Sequence, residues 1–329
     1  MKQRGNRYCS TCSTKLQKRG KTNVGKQRWL CPDCSRSSLK SRPDLSRAFV
    51  FEQFLKWLLG KHSQADIQTS NRTFRRKISW CWQVPVPQVL TGEIRSVIIL
   101  DGIRVGGQVC LIAKTKTSVL AWVWADKENS HNWQQLMRLL PPPAYVVCDG
   151  QRGILGAISI CWPRAKVQRC HFHVQANIRT KLTRNPQTNP AQDLARLMGY
   201  AHYVYTARQR NKWMASFNKL QTKHAIHLAE KTKAQDPKPG QRKWWYTHGR
   251  DRSAYRQIKN LLADGSLFCY VADANTIPRT TNHLEGGTNS LIRRQLGYHR
   301  GLPKAHQRVL ANWLLYYQTE EPKPPRFGL

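Results

Sequence analysis

The chain has 329 residues, enough for two or three domains and a sizeable core, and it carries 55 Lys and Arg against 18 Asp and Glu, a formal net charge of +37. So large an excess goes beyond what solubility needs and calls for a polyanionic partner, of which nucleic acid is the commonest. An anionic membrane surface is disfavoured because no lipidation motif or isolated basic amphipathic helix is present. No amino-terminal apolar leader and no run near the ~18 apolar residues of a membrane span are found, so the expectation is a cytoplasmic, nucleoid-associated protein with no membrane partner. In that reducing compartment the ten cysteines read as ligands or small buried hydrophobes rather than disulfides.

Taken in order, Cys9-Ser-Thr-Cys12 and Cys31-Pro-Asp-Cys34 form two C-x2-C pairs separated by 18 residues. Each pair makes a tight turn that aims two thiolates at one ion, so residues 1–40 read as a zinc ribbon holding structural Zn2+, with 26–30 as a return strand. Over 44–88 the pattern becomes helical: Phe49, Phe51, Phe54, Leu55, Leu58 and Leu59 recur up to Gly60. A short helix at 64–67, a turn and a second helix over 70–80 read as a helix-turn-helix. Its second helix turns Phe74, Ile78 and Cys81 inward and offers Arg72, Arg75, Arg76 and Lys77 to DNA. The plainer alternative is a solvated basic face on an ordinary helical hairpin. Val84-Pro85-Val86-Pro87 then breaks helix as a linker.

From residue 96 strands are expected at 96–101, 104–113, 118–125, 144–149 and 166–169, and helices at 132–140, 152–160 and 171–182. Three strands in meander followed by helix, strand, helix, strand and helix is the order of an RNase H-like fold. Two of the strands stop at Asp-Gly, Asp101-Gly102 and Asp149-Gly150. Two carboxylates at one sheet edge repel unless a cation lies between them, so the pair suggests an acidic metal cup inside a basic protein. Asp before Gly is also a common turn residue. Cys170-x-x-His173 has half of a zinc site's spacing and, lacking a second pair nearby, reads as structural or substrate-orienting.

These motifs resemble DDE transposases of bacterial insertion sequences related to the Mutator elements. The residues that carry the resemblance are Asp101-Gly102, the segment around Trp133, Asp149-Gly150, Arg169-Cys170-x-x-His173 and Asn282-His283-Leu284-Glu285-Gly286, an N-x-x-E pattern continued by Asn289, Arg293 and Arg294. The likeness covers roughly 96–318. It implies that Asp101, Asp149 and Glu285 bind two Mg2+ (or Mn2+) ions and carry out DNA strand cleavage and strand transfer on terminal inverted repeats and target DNA, as a homodimer or higher oligomer. Rival third carboxylates are Glu128, Asp126 and Glu230. Glu285 is preferred because Thr280-Thr281-Asn282 precede it like a helix start, with Asn282 placed to orient it. Arg293 and Arg294 join the expected DNA-binding residues.

The resemblance also implies an RNase H-like α/β catalytic domain (94–174 and 275–319) interrupted by an all-helical insertion (175–274); the Pro-rich composition of 320–329 reads as a disordered tail. Within the insertion, basic residues interleave with aromatics around Lys212-Trp213 and over 242–246, a pattern suited to DNA backbone and an unpaired base, although a core role is commoner for any single Trp. Residues 232–241 read as a flexible basic loop, and 302–317 as a closing helix with Val309, Leu310, Trp313, Leu314 and Tyr317 inward. The main alternative from another class is a non-catalytic zinc-ribbon and helix-turn-helix DNA-binding regulator derived from a transposase.

Overall fold

The computed structural model describes residues 8–9, 11–23, 25–39, 47–61, 71–235 and 241–323. The expected helix at 64–67 and the tail from 324 lie outside these residues. Contacts divide the chain into two compact units, Met1–Pro87 with Leu291–Leu329, and Gln88–Ser290.

In the first unit, β1 (Gln17–Lys21), β2 (Gln27–Leu30) and β3 (Ser37–Ser38) form an antiparallel sheet in that order. Helix α1 (Arg47–Leu59) buries Val50, Phe51, Phe54, Trp57 and Leu58, while α2 (Asn71–Ile78) buries Phe74 and Ile78 and leads into a 3-10 turn that buries Cys81. Phe49, expected inward, is exposed, and the Lys77 ammonium lies 5.9 Å from its ring centre. Residues 302–317, read as closing the catalytic domain, form α11 (Lys304–Tyr316) and pack on α1 instead, with Trp313 edge-on to Phe51 at 5.4 Å. The inward set is Leu310, Ala311, Trp313, Leu314, Leu315 and Tyr316, whereas Tyr317 is exposed, a one-residue turn of the apolar stripe set by that aromatic contact.

The second unit is built on a five-stranded mixed sheet in the order β6-β5-β4-β7-β8, comprising β4 (Val97–Val105), β5 (Gln108–Lys114), β6 (Val119–Ala125), β7 (Tyr145–Cys148) and β8 (Lys166–Arg169). The first three strands run antiparallel; β4, β7 and β8 are parallel. Here the expected strand ends need correcting. β4 does not stop at Asp101: Asp101 pairs with Ile112 in mid-ladder, and the strand continues to Val105, which pairs with Gln108. The turn is Gly106-Gly107, with φ of 56° and 83°. Positive φ at both central residues matches the twist of a two-residue hairpin, so Gly-Gly outranks Asp-Gly as the reversal, and the expected strand 104–113 is split by it.

Alternation along β4 puts Ile98 and Leu100 on one face, in a core with Trp133, Leu136 and Met137 of α3 (Ser130–Met137) and Ile154, Ala157 and Ile158 of α4 (Arg152–Cys161). Fully burying each such side chain contributes about 1.5–3 kcal/mol. Asp101 falls on the opposite face. Beyond β8 come α5 (His171–Leu182), α6 (Asn189–Tyr200), α7 (Ala207–Lys223), α8 (Ala225–Ala229) and α9 (Gly249–Ala263). β8 and α5 have the bounds expected from sequence. The insertion is not all-helical: β9 (Lys231–Lys233) pairs antiparallel with β10 (Trp244–Tyr246). The β-branched Thr232 and the Trp-Trp-Tyr run favour a pleated pair over helix, so part of the expected loop 232–241 is a strand.

Candidate active site

Asp101 lies on the face of β4 that it shares with the buried Ile99 and Ile103, where the Asn289 side-chain amide donates to its Oδ2 at 2.8 Å. Burial, then repulsion from Glu285 and from Asp149, pushes its carboxyl up to about 7. Asp149 follows β7, and its Oδ1 accepts the Gln151 amide at 3.0 Å. Gly150, at φ 76°, reverses the chain there. A Cβ at that position would overlap the Arg169 guanidinium, which donates to the Asp149 carbonyl at 3.3 and 3.1 Å, so glycine is required by conformation and by space.

Glu285 sits in a π-helical turn, His283–Asn289, that runs into α10 (Ser290–Tyr298). The Thr281 hydroxyl donates to its Oε1, and His173 Nδ1 lies 3.5 Å from the same atom. Asn282, expected to orient Glu285, is exposed and lies over Gly286. The wider π turn rotates position 282 away from 285 and gives the orienting role to Thr281. Lys114 ties this turn to the sheet: 5% exposed, it donates to Thr288 Oγ1 at 3.1 Å, and burial depresses its ammonium.

Cys170 and His173 begin α5 beside Glu285. The Thr281 amide donates to Cys170 Sγ at 3.4 Å. Burial raises the Cys170 thiol, but hydrogen bonds from His173 and Thr281 outweigh it and leave a net lowering. His173 is raised to about 9, first by its hydrogen bond to Cys170 and then by attraction to Cys170, Glu285 and Asp149, against the opposing effect of burial. Donor atoms of Cys170, His173 and Glu285 lie within 4.8 Å of one another, whereas Asp101 and Asp149 join no three-ligand group of that compactness among the described residues.

Glu128, weighed in the sequence only as a rival, lies against the same acids. A Cβ on Gly102 would come within 2.8 Å of its Oε1, and burial followed by Asp149 raises its carboxyl. Asn129 caps α3 by accepting the Asn132 amide at 2.8 Å, and Gly153 lets this cap approach α4. Glu128 is therefore delivered by a helix start, which spacing alone does not reveal. The cluster suits divalent cations: Asp101 and Glu128 are raised in part by repulsion from neighbouring carboxylates, which a cation would relieve.

The four ribbon cysteines also converge, with Cys9 and Cys34 sulfurs 3.5 Å apart, Cys12 and Cys31 sulfurs 3.2 Å apart, and all four donor atoms within 4.8 Å. Thr14 lowers Cys12 to about 6, favouring the thiolate a soft ion needs. The cluster fits structural zinc. Of the expected DNA-binding residues, Arg72, Arg75 and Arg76 are exposed on α2, Lys77 is half-buried, and Arg293 and Arg294 are exposed on α10. Trp213 is core, as the commoner reading of a Trp predicts, but Trp244 and Trp245 are 44% and 46% exposed. No helix among the described residues is long and apolar enough to cross a membrane.

The fold and site define a mixed α/β protein with a cysteine cluster near its amino terminus and carboxylates from strands, a helix start and a π-helical turn that act on one another. Residues 93–236 match the family model described as transposase, Mutator family. This stretch is similar to the Mutator-family transposases, a class of enzymes that cut and join DNA. No curated protein matches the chain.

Proposed function

We propose that the chain is the transposase of a bacterial insertion sequence, binding the element's terminal inverted repeats and performing strand cleavage and strand transfer with Asp101, Asp149 and Glu285 on an RNase H-like sheet. The observation that carries the reading is the meeting of acids from separate elements: Asn289, on the turn that bears Glu285, donates to Asp101 Oδ2 at 2.8 Å, and Glu285 and Asp149 both lie close enough to raise the Asp101 carboxyl. When bound, two Mg2+ or Mn2+ ions supply activation of the attacking oxygen and stabilisation of the leaving 3′ oxygen. The chain's own residues prepare their seats. Asn289 holds one oxygen of Asp101, and Gln151 together with Arg169 holds the Asp149 turn. Thr281 and His173 hold Glu285. Water attacks in the first step and the freed 3′ hydroxyl in the second, so no covalent enzyme intermediate is required.

The zinc ribbon, with Cys9, Cys12, Cys31 and Cys34 as ligands, and the basic face of α2 read double-stranded DNA in the amino-terminal part of the chain, where a helix-turn-helix over 44–88 is proposed. Arg72, Arg75, Arg76, Lys77, Arg293 and Arg294 contact phosphates, a salt-sensitive source of affinity. In the insertion the hairpin offers Trp244 and Tyr246 between Lys231, 4.2 Å from the Trp244 ring, and Arg252, 3.8 Å from the Tyr246 ring. Alternating cations and aromatics suit a strand with an unstacked base. The protein works in the cytoplasm on the nucleoid, as a homodimer or higher oligomer on DNA.

The test is Mg2+-dependent cleavage and joining of element-end DNA by the purified chain. Binding without cleavage under any divalent ion would favour a non-catalytic regulator instead.

A further inference from the structure

The helical insertion holds a second convergence of metal-type ligands, away from the acids described above. His227 lies in α8 and Asp251 in the first turn of α9, while Glu230 directly precedes β9 and His248 closely follows β10. The two ends of the hairpin are thereby brought together, with the Thr247 amide donating to the Glu230 carbonyl at 3.0 Å. His227 Nε2 is 3.0 Å from Asp251 Oδ2, and His248 Nε2 is 3.1 Å from Glu230 Oε2. The two imidazoles stack with centres 3.5 Å apart and planes 15° from parallel. One donor atom from each of His227, His248 and Asp251 lies within 4.8 Å of the other two.

We propose that His227, His248 and Asp251 bind a transition-metal ion of the zinc type, with Glu230 or water completing the coordination. Three observations carry this beyond a pair of surface ion pairs. Two imidazoles and a carboxylate are the donor set that zinc prefers and that Mg2+ does not. Asp251 is 8% exposed and its Oδ2 also accepts the Thr188 hydroxyl at 2.6 Å, an outer contact of the kind that orients a ligating carboxylate. Finally, a chain with only 18 acids places two of them on one stacked histidine pair.

The consequence is mechanical. α8, both ends of the hairpin and α9 meet at this point, so an ion there fixes β10, the strand that carries Trp244 and Tyr246. Glu230 thus belongs with this cluster and not with the catalytic acids.

The experiment is metal content of the full-length protein carrying D101N, D149A, C170S and E285Q, so that neither the acid cluster nor the Cys170, His173 and Glu285 group contributes, after dialysis against zinc and then against metal-free buffer. About two zinc ions per chain are expected, one for the four thiolates and one for this site. H227Q/H248Q should lose one, while cobalt substitution still shows the intense thiolate charge-transfer bands of the ribbon. The converse variant C31S/C34S should lose those bands and retain one ion that gives only weak ligand-field bands. If C31S/C34S retains none, or H227Q/H248Q retains both, the proposal is overturned. A misfolded H227Q/H248Q does not obscure the result, because C31S/C34S leaves the insertion intact. None of these readouts depends on DNA cleavage, so failure here is separable from failure of the transposase reading.

Discussion

The cysteine cluster and the acid cluster gather ligands by opposite routes. The four thiols come from two short turns on a single small sheet, close in sequence, and Cys31 is fully buried at their centre. The acids come from mid-strand (Asp101), a strand end (Asp149), the residue before a helix cap (Glu128) and a π-helical turn far along the chain (Glu285). Local turns compact the thiols without help from the rest of the chain. The acids are held by other side chains, Asn289, Thr281 and Arg169, and remain mutually repulsive. A site assembled locally tolerates change in distant elements; one assembled by topology does not.

The largest effect is expected from Asp149→Ala, which should reduce Mg2+-dependent cleavage by at least about 1000-fold while DNA affinity stays equal or rises, since a negative charge beside phosphate is removed. Single-turnover cleavage and a binding titration measure both, and retained cleavage would sink the assignment. Next, Cys31→Ser or zinc chelation should disorder the ribbon and lower end-specific DNA binding by about tenfold or more. Hydrogen exchange in the β4–β8 sheet should stay unchanged, and loss of protection there would contradict the local assembly of the thiols.

The acid cluster also carries a pH signature. Asp101 binds its proton more tightly folded than unfolded, so between about 3.8 and about 7 the folded state holds the extra proton and metal-free stability falls as pH rises. Mn2+ affinity should rise over the same range as the ion displaces that proton. Asp101→Asn should therefore raise metal-free stability at pH 8 by about 1–3 kcal/mol while abolishing cleavage. A thermal melt showing lower stability would refute the strain argument. His173 acts in the same sense over a higher range: raised to about 9, it contributes stability that is complete below 6.5 and is lost as pH climbs through 9.

The smallest effect is expected at the exposed hairpin. Trp244→Ala should leave the melting temperature within about 1 °C but weaken binding of a DNA end with an unpaired base by about 1–3 kcal/mol. Equal loss on fully paired DNA would argue against stacking.

Much of the frame was legible. The C-x2-C spacing, the core strands of the sheet and the helix over 171–182 follow from patterns with one physical solution each. Strand ends were less so: Asp101-Gly102 and Gly106-Gly107 both signal a turn, and only the ladder with β5 shows which one reverses the chain. Glu128 was weighed only as a rival and the roles of Thr281 and Lys114 escaped because nothing in their spacing sets them apart, while Asn282 misled because three-residue spacing shares a face in an α-helix but not in the π turn found there.

By itself, the sequence determined the charge that calls for a polyanion, the thiol spacing that suits one ion, and the alternation that makes buried strands, since each rests on near neighbours in the chain. Tertiary structure alone decided that α11 packs on α1, that Glu230 stands with two histidines, and that four acids from separate elements share one field. Those outcomes depend on which distant surfaces exclude water together, and that is a property of the folded whole.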